Sequence, residues 1–577
     1  MDDTAPRTPS EASEKTAVAA APHPRENMPA WKWLGTLTIV LTMAMVNGYD
    51  VSNVANIQAR LYEEFGDIKL VPWIGLSYSL ANFAVLGISR KVINCFDIKW
   101  VVIVHNIIFM VGAVVAGAAN NMTMVIVGRI IMGVGGATVY QCCLTLVTVF
   151  ATPVESPRLF ALVSATWATG LVIGGPIGSA FSANDSTTWR WAFYINLPFV
   201  GLATIITFLC VPSKYLGPDL PLLQRLRKID PLGLALNLIT PVLFAIACEF
   251  SGAIWPWSSA STIAIWIITA LATLSWALQQ ALCIFTTKEE RAVPLHLLVR
   301  TDLLPLWIAG GCAGAAYAIT LYYTPLYLSF ARGHDALQQT VRLLPFIIVF
   351  IVVVIIVGGA LPVIGRYAII YLIAGAAILS GSAAMANTLS DPTVSESTIM
   401  GLIALIGIGL GCSFQHGVGI SNVINKDAQD KVDSTILFNM AQMGSIAISL
   451  SIAGAVFQNV GFAFINEAIG DRGYSEEELR QALAGVSSVV WQSRDEEVLE
   501  RGVLAVSRVI AREFYLVVVA GAVCLVCAVV MKWEKLDYGK GSGRGDAEEG
   551  NLKAVGGLEE GTEQDRKDDR VLICDGC

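Results

Sequence analysis

Fourteen apolar runs, most of them about as long as a bilayer-spanning helix of roughly 20 residues, recur along this chain and constrain its fold more than any other feature. They fall near residues 32–55, 72–90, 100–118, 123–149, 158–181, 191–212, 231–251, 261–285, 303–330, 340–362, 367–386, 398–424, 434–466 and 513–531. In lipid every backbone N–H and C=O must be satisfied inside the segment, so the runs are expected to be helices. The composition agrees: 55% of the 577 residues are hydrophobic and 15% charged, more apolar surface than a soluble core could bury. The fold class is therefore an all-α, polytopic membrane protein.

Charge places the spans. Arg90, Lys91, Lys99, Arg158, Lys214, Arg225, Arg227, Lys228, Lys288, Arg291, Arg300, Arg366, Lys426 and Lys431 fall in short loops on one side, which the positive-inside bias makes cytosolic. The opposite short loops offer little beyond Arg60, Lys69, Arg190 and Arg332. An even span number then puts both termini in the cytosol. Residues 1–30 and 536–577 read as disordered polar tails, without the apolar core of a cleavable signal peptide. An acid-rich, amphipathic segment, 467–512, is too polar to cross and is expected outside, forming short helices over the outer mouth. Sequons at Asn121 and Asn184 fall in outer loops too short for glycosylation to be expected.

The formal charge of −8 is concentrated in the tails and the late outer segment, and indicates no nucleic-acid partner. Of the twelve cysteines, ten lie in or beside apolar stretches, where cysteine is a small hydrophobe. Cys574 and Cys577 have C-x-x-C spacing but lack a second ligand pair. No metal or cofactor is expected. The spans carry no H-E-x-x-H, G-x-S-x-G or depth-matched catalytic aspartates, so an enzyme is not expected either.

A charge at the centre of a bilayer costs at least a few kcal/mol, so each ionisable residue in a span needs a reason. The candidates are Asp50, His105, Arg129, Glu249 and His416. At about 1.5 Å of rise per residue, Asp50 lies near the outer end of span 1 and Arg129 a few turns below the outer end of span 4. Their depths match, so the two are expected to pair as a proton-coupling or gating element. A static bridge between helices is the alternative. His105 and His416 are placed near cytosolic helix ends, in reach of interfacial water, and Glu249 beside the outer headgroup belt of Trp255 and Trp257. Small residues spaced for close helix contact occur in span 4 (Gly128, Gly133, Gly135, Gly136) and span 5 (Gly170, Gly174, Gly175, Gly178, with Pro176).

These motifs resemble the major facilitator superfamily, and within it the fourteen-span drug:proton antiporter group. GRIIMGVGGA (128–137) is similar to the span 4 motif, with Arg129 at its arginine and Met132 where glutamine is usual. GLVIGGPIGSAF (170–181) resembles the span 5 antiporter motif, with its proline displaced by one position and Ser179 in place of a glycine. WRWAFYINLP (189–198) is the most specific match, and YYTPLYLSF, VRLLP and VFQN resemble further stretches of fungal toxin and multidrug efflux pumps. YDVSNVANI (49–57) matches the span 1 pattern only through Asp50 and Ser52. In RKVINCFDIKW (90–100), Asn94 stands where the family has a gating aspartate.

The resemblance implies two six-helix bundles, residues 31–213 and 301–535, with spans 7 and 8 as a hairpin inserted in 214–300. It further implies a proton-coupled efflux antiporter, acting as a monomer in the plasma membrane or a vacuolar or vesicle membrane. Its partners would be protons, the lipid bilayer and a small lipophilic compound such as a fungal secondary metabolite, toxin or drug. Asn82, Trp167, Asn439 and Gln442 near mid-span are the candidate cavity wall. Two other readings remain open: proton-driven uptake of a siderophore or other small solute on the same scaffold, and a non-transporting membrane sensor whose acidic tail binds signalling partners.

Overall fold

The computed structural model describes residues 24–26, 28–66, 70–183, 188–217, 220–485 and 488–538. Most of the expected tails, Lys69, the Asn184 sequon and the Cys574/Cys577 pair lie outside them. Among the described residues the chain is helical, with no strand.

The membrane helices, numbered here in chain order, are α1 (Ala30–Phe65), α2 (Val71–Cys95), α3 (Ile98–Gly117), α4 (Met122–Phe150), α5 (Ser156–Ala183), α6 (Trp191–Cys210), α7 (Pro231–Phe250), α8 (Ala260–Leu282), α9 (Leu304–Arg332), α10 (Ala336–Ile364), α11 (Tyr367–Thr388), α12 (Glu396–Ile424), α13 (Ala428–Ile469) and α14 (Glu496–Val530). Thirteen of these carry a described stretch apolar and long enough to cross a membrane. The other, α2, the second expected span, is 25 residues long, with Arg90 and Lys91 near its end. Burial by its neighbours α4, α7 and α13 replaces lipid as the solvent for those groups.

Sequence chemistry sets the helix ends. Asp97, Asn121, Asp335 and Ser395 each accept a backbone N–H at an N-cap, satisfying donors that the first turn leaves free. Gly66, Gly333 and Gly365 take up left-handed φ at C-caps, where a side chain would be strained. The expected outer segment 467–512 is shorter than its composition suggests. Polarity there marks the part of a helix beyond the lipid, so α13 runs on to Ile469 and α14 already begins at Glu496, capped by Asp495. Between them, among the described residues, lie a short α-helix, Glu476–Ala484, and two 3-10 turns, Gly470–Arg472 and Val489–Gln492. Trp491 pins this stretch, donating to Ala482 O at 2.9 Å and packing its ring 5.3 Å from that of Phe330 on α9.

Packing follows small residues. In α5, Gly170, Gly174 and Gly178 form an i, i+4, i+8 stripe pressed on the α1 backbone: a Cβ at Gly174 would lie 2.6 Å from Tyr49 O, and one at Gly178 2.5 Å from Asn53 Oδ1. Gly48 of α1 meets the carbonyl of Trp167 in return. Gly175 faces the other way, toward Thr340 of α10, and Pro176 lies within the helix between these faces. Helix α4 is the most enclosed span, with 83% of its apolar window buried, whereas α8 has 11%. Ile263, Ile267, Leu271 and Leu274 of α8 are exposed, a face that lipid would cover. Helix α7 packs against α2 on one side and α13 on the other, bridging the early and late halves of the chain.

Replacing Gly174 by leucine forces a side chain into the α1 backbone, an overpacking cost of about 1–3 kcal/mol or more. Thermal unfolding of the purified protein should move down accordingly, while Gly201→Leu, at a position with open space around it, should leave it unchanged.

Candidate functional site

Asp50 and Arg129 meet. Both are buried, at 0% and 1% exposure, and an Arg129 NH1 donates to Asp50 Oδ2. Glycine and small residues around them allow the approach: α1 lies close on α5, and Gly133 and Gly136 of α4 lie close on Tyr78 of α2. The guanidinium is held on two further sides. Its Nε donates to Ile74 O at 3.2 Å, and its carbon lies 4.5 Å from the centre of the Tyr78 ring. Asp50 Oδ1 has no hydrogen-bond partner, leaving one oxygen of the carboxylate uncommitted.

From this pair a polar chain leads to the middle of the molecule. Asn47 Nδ2 donates to the Tyr78 hydroxyl at 2.7 Å, and Trp167 Nε1 donates to Asn47 Oδ1 at 3.0 Å. Trp167 stacks on Phe414 of α12, with ring centres 5.2 Å apart, and touches Tyr317 of α9 at 5.0 Å. Phe414 O accepts from Gln442 Nε2 at 2.8 Å, and Gln415 Nε2 donates to Gln442 Oε1 at 2.9 Å and to the Tyr140 hydroxyl at 3.3 Å. Asn439 Nδ2 donates to Gln141 Oε1 at 2.9 Å. Three of the four expected cavity residues, Trp167, Asn439 and Gln442, thus sit in one enclosed cluster contributed by α4, α5, α9, α12 and α13. Asn82 is buried on α2 but lies outside this hydrogen-bonded set.

The cluster contains partners that the sequence did not single out. Gln141, Gln415, Tyr140 and Asn47 are neutral, and neutral polar residues in spans carry no one-dimensional mark distinguishing a site from helix packing.

At the end of α2 that carries Arg90 the halves are clamped. Arg90 of α2 makes a bidentate pair with Asp433 of α13, Nε to Oδ1 at 2.8 Å and NH2 to Oδ2 at 2.6 Å. The other terminal nitrogen of Arg90 donates to Arg291 O at 3.1 Å and Ala292 O at 3.3 Å, and Lys91 Nζ donates to Glu290 O. Thr148 of α4 adds contacts to Thr435 and Asn422 at 2.9 and 3.2 Å. Arg90 and Lys91 were expected as solvated loop charges; they are instead 6% and 7% exposed, because α2 continues to Cys95 and tucks them under the loop after α8. Asn94, at the position of the absent gating aspartate, reaches Gln429 only at 3.5 Å, so the close charge contact is made one turn earlier.

The loop after α8 is itself fixed by Asp230 at the start of α7. It accepts from Gly233 N at 2.8 Å, Gln279 Nε2 at 3.0 Å, Gln280 Nε2 at 3.2 Å and Ala292 N at 3.3 Å.

WRWAFY is a knot where α1 ends and α6 begins. Trp189 Nε1 and Arg190 NH2 both donate to Glu64 of α1, at 2.5 and 3.0 Å, and Arg190 NH1 donates to Gly117 O and Ala119 O at the end of α3. Ala192 O accepts from Tyr49 and Asn53, at 3.0 and 2.9 Å, on either side of Asp50. The motif thereby fixes the rotation of α1 that aims Asp50 at Arg129.

The remaining ionisable candidates fall apart from this chain. His416 is not near interfacial water: it is fully buried at the break between the two helical parts of α12, with Nε2 3.0 Å from Gly411 O. Rise arithmetic places a residue along its own helix only, and here the neighbours close over it. His105 is partly buried on α3, its Nδ1 2.8 Å from Val101 O. Glu249 is turned toward α13 rather than the headgroup belt, since a Cβ on Gly454 would lie 2.6 Å from its Oε1.

A family model described as Major Facilitator Superfamily matches residues 40–452. Efflux pump patC of Aspergillus clavatus is 31% identical over 522 residues, spanning 90% of this chain and 94% of that protein. Efflux pump DEP3 of Alternaria brassicicola is 32% identical over 502 residues, spanning 86% and 87%. Among solved structures, a bacterial homologue of the human lysosomal transporter Spinster in an inward-facing, unoccupied conformation aligns with a TM-score of 0.55 at 12% identity, covering 87% of this chain and 98% of its own. The proton:xylose symporter XylE gives 0.55 at 10% identity, covering 88% and 98%. At such identities the structural likeness speaks of the fold alone.

Breaking the Arg90–Asp433 clamp from one side leaves a buried charge unpaired, at a cost of about 3–5 kcal/mol. Asp433→Leu should therefore lower the melting temperature more than the double change Arg90→Met with Asp433→Leu. Additive losses in the two single variants would contradict the pairing.

Proposed function

Because this chain belongs to the major facilitator superfamily, we propose that it is an efflux transporter exporting a small lipophilic compound, of the fungal secondary-metabolite or toxin class, in exchange for protons. The observation that carries the reading is the continuous path from the Asp50–Arg129 pair through Tyr78, Asn47 and Trp167 to the enclosed cluster at mid-membrane. Its relatives named as efflux pumps, alike over most of their lengths, support the direction of transport.

The residues act as follows in this reading. The substrate occupies the central cluster, where Trp167, Phe414 and Tyr317 offer flat apolar surfaces and Gln141, Gln415, Asn439 and Gln442 offer hydrogen bonds. With no substrate those amides bond to one another, so binding exchanges Gln141–Asn439 and Gln415–Gln442 bonds for bonds to the compound at little net cost. Protonating Asp50 removes the negative partner of Arg129. The guanidinium then shifts on the Tyr78 face, and the Asn47–Trp167 bond carries the shift to the cluster. Two units, 31–213 and 301–535, rock about the cluster, opening and closing the Arg90–Asp433 clamp, while the α7–α8 hairpin in 214–300 spans the seam. The protein works as a monomer in the plasma membrane with both termini in the cytosol.

Efflux-deficient yeast expressing the chain should accumulate less of at least one compound from a panel of lipophilic toxins, and a protonophore should restore accumulation. Asp50→Asn, at equal surface expression, should restore it as well, with export reduced by about tenfold or more. Accumulation raised above that of control cells would instead identify uptake, and no protonophore effect would rule out proton drive.

A further inference from the structure

Glu513 has no part in the path above, yet it is the most isolated carboxyl group in the described protein. It lies on α14 at the outer end of the apolar stretch that runs to Val530. The residue is 1% exposed, and neither carboxyl oxygen has a hydrogen-bond partner. An ionised carboxylate enclosed without a donor carries an uncompensated desolvation cost of several kcal/mol. This packing therefore suits the neutral, protonated group.

The surroundings give the proton a route. Helix α14 packs against α9, α11 and α13. From α9, the hydroxyl of Tyr323 lies within electrostatic reach of Glu513, and Tyr322 and Glu249 act on that same hydroxyl. Neither α11 nor α13 gives Glu513 a hydrogen bond among the described residues. On the same turn of α14, Arg508 and Arg512 point the opposite way, Arg512 over the Phe464 ring at 4.5 Å. With Ala511, Tyr515 and Asn387 they line an open outer cleft of about 640 Å³. The body of α14 thus separates the enclosed carboxyl from this cleft, and at about 100° per residue a turn of α14 about its own axis by roughly a third to a half of a revolution presents one to the other.

We propose that Glu513 is a second proton-binding site, among the late helices, loaded from the outer side across the turn of α14 that lines this cleft. The carboxylate takes one proton when α14 presents it to the cleft and returns that proton when the transporter reverses. This rests on the reading of the protein as a proton-driven exporter, and adds a titrating group to Asp50.

The test pairs a spectroscopic readout with export, using the purified full-length chain and the yeast assay. Infrared difference spectra on acidification should show a protonated-carboxyl C=O band in the wild type. The band should be absent in Glu513→Gln, shifted in Glu513→Asp and retained in Asp50→Asn. Export by Glu513→Gln should fall by about tenfold and lose its dependence on outer pH, with Glu513→Asp recovering that dependence. A Glu513→Gln protein that keeps the band, or exports with the wild-type pH dependence, overturns the proposal while leaving proton-driven export standing. Wild-type export insensitive to protonophore overturns the coupling reading itself. If Glu513→Gln does not fold, the band position in Glu513→Asp decides: an unshifted band overturns the assignment.

Discussion

A charge inside a membrane protein must be paired or neutralised, and the internal order of this molecule follows from how it meets that demand. Arg129 cannot be left alone inside α4, about two turns from its start, so α1 and α2 must be rotated to bring Asp50, Ile74 O and Tyr78 around it. The WRWAFY knot fixes one of those rotations by tying α1 to α3 and α6 at the outer surface. Arg90 sets the same demand near the end of α2, where Asp433 and the carbonyls of the loop after α8 satisfy it. Charges satisfied by partners on other helices become connections between those helices, which a transport cycle can make and break.

Close backbone contact is what lets so few charges do this. The Gly170, Gly174 and Gly178 stripe brings α5 against α1, and Gly48 answers it from the other side, so Trp167 comes within hydrogen-bond reach of Asn47 three residues before Asp50. A motif that reads as helix packing therefore also sets the distance between the ion pair and the central cluster. Packing and the connection between the ion pair and the cluster are here one arrangement.

Much of this was legible in the sequence. Each of the fourteen apolar runs falls on a helix, because the bilayer imposes a length that composition can satisfy only in that way. Depth counting paired Asp50 with Arg129 because helical rise is constant. Other features were hidden for equally physical reasons. Asp433 lies one residue before an expected span and Glu513 on the first residue of another, so both resembled boundary residues, although neighbouring helices bury them. Arg90 and Lys91 entered the charge tally as loop residues, and a tally does not record that they are buried. The bonds of the central cluster join residues 275 and 298 positions apart, and nothing in neutral Gln or Asn side chains signals a partner at that distance.

The most direct measurement is proton movement in proteoliposomes containing the purified chain and a trapped pH indicator, once a transported compound is in hand. The compound is supplied on the side that the cytosolic face meets, with membrane potential clamped. The account predicts proton flux opposite to the compound, starting only on its addition and lost in Asp50→Asn. Compound movement without any proton flux, or flux undiminished in Asp50→Asn, would contradict it.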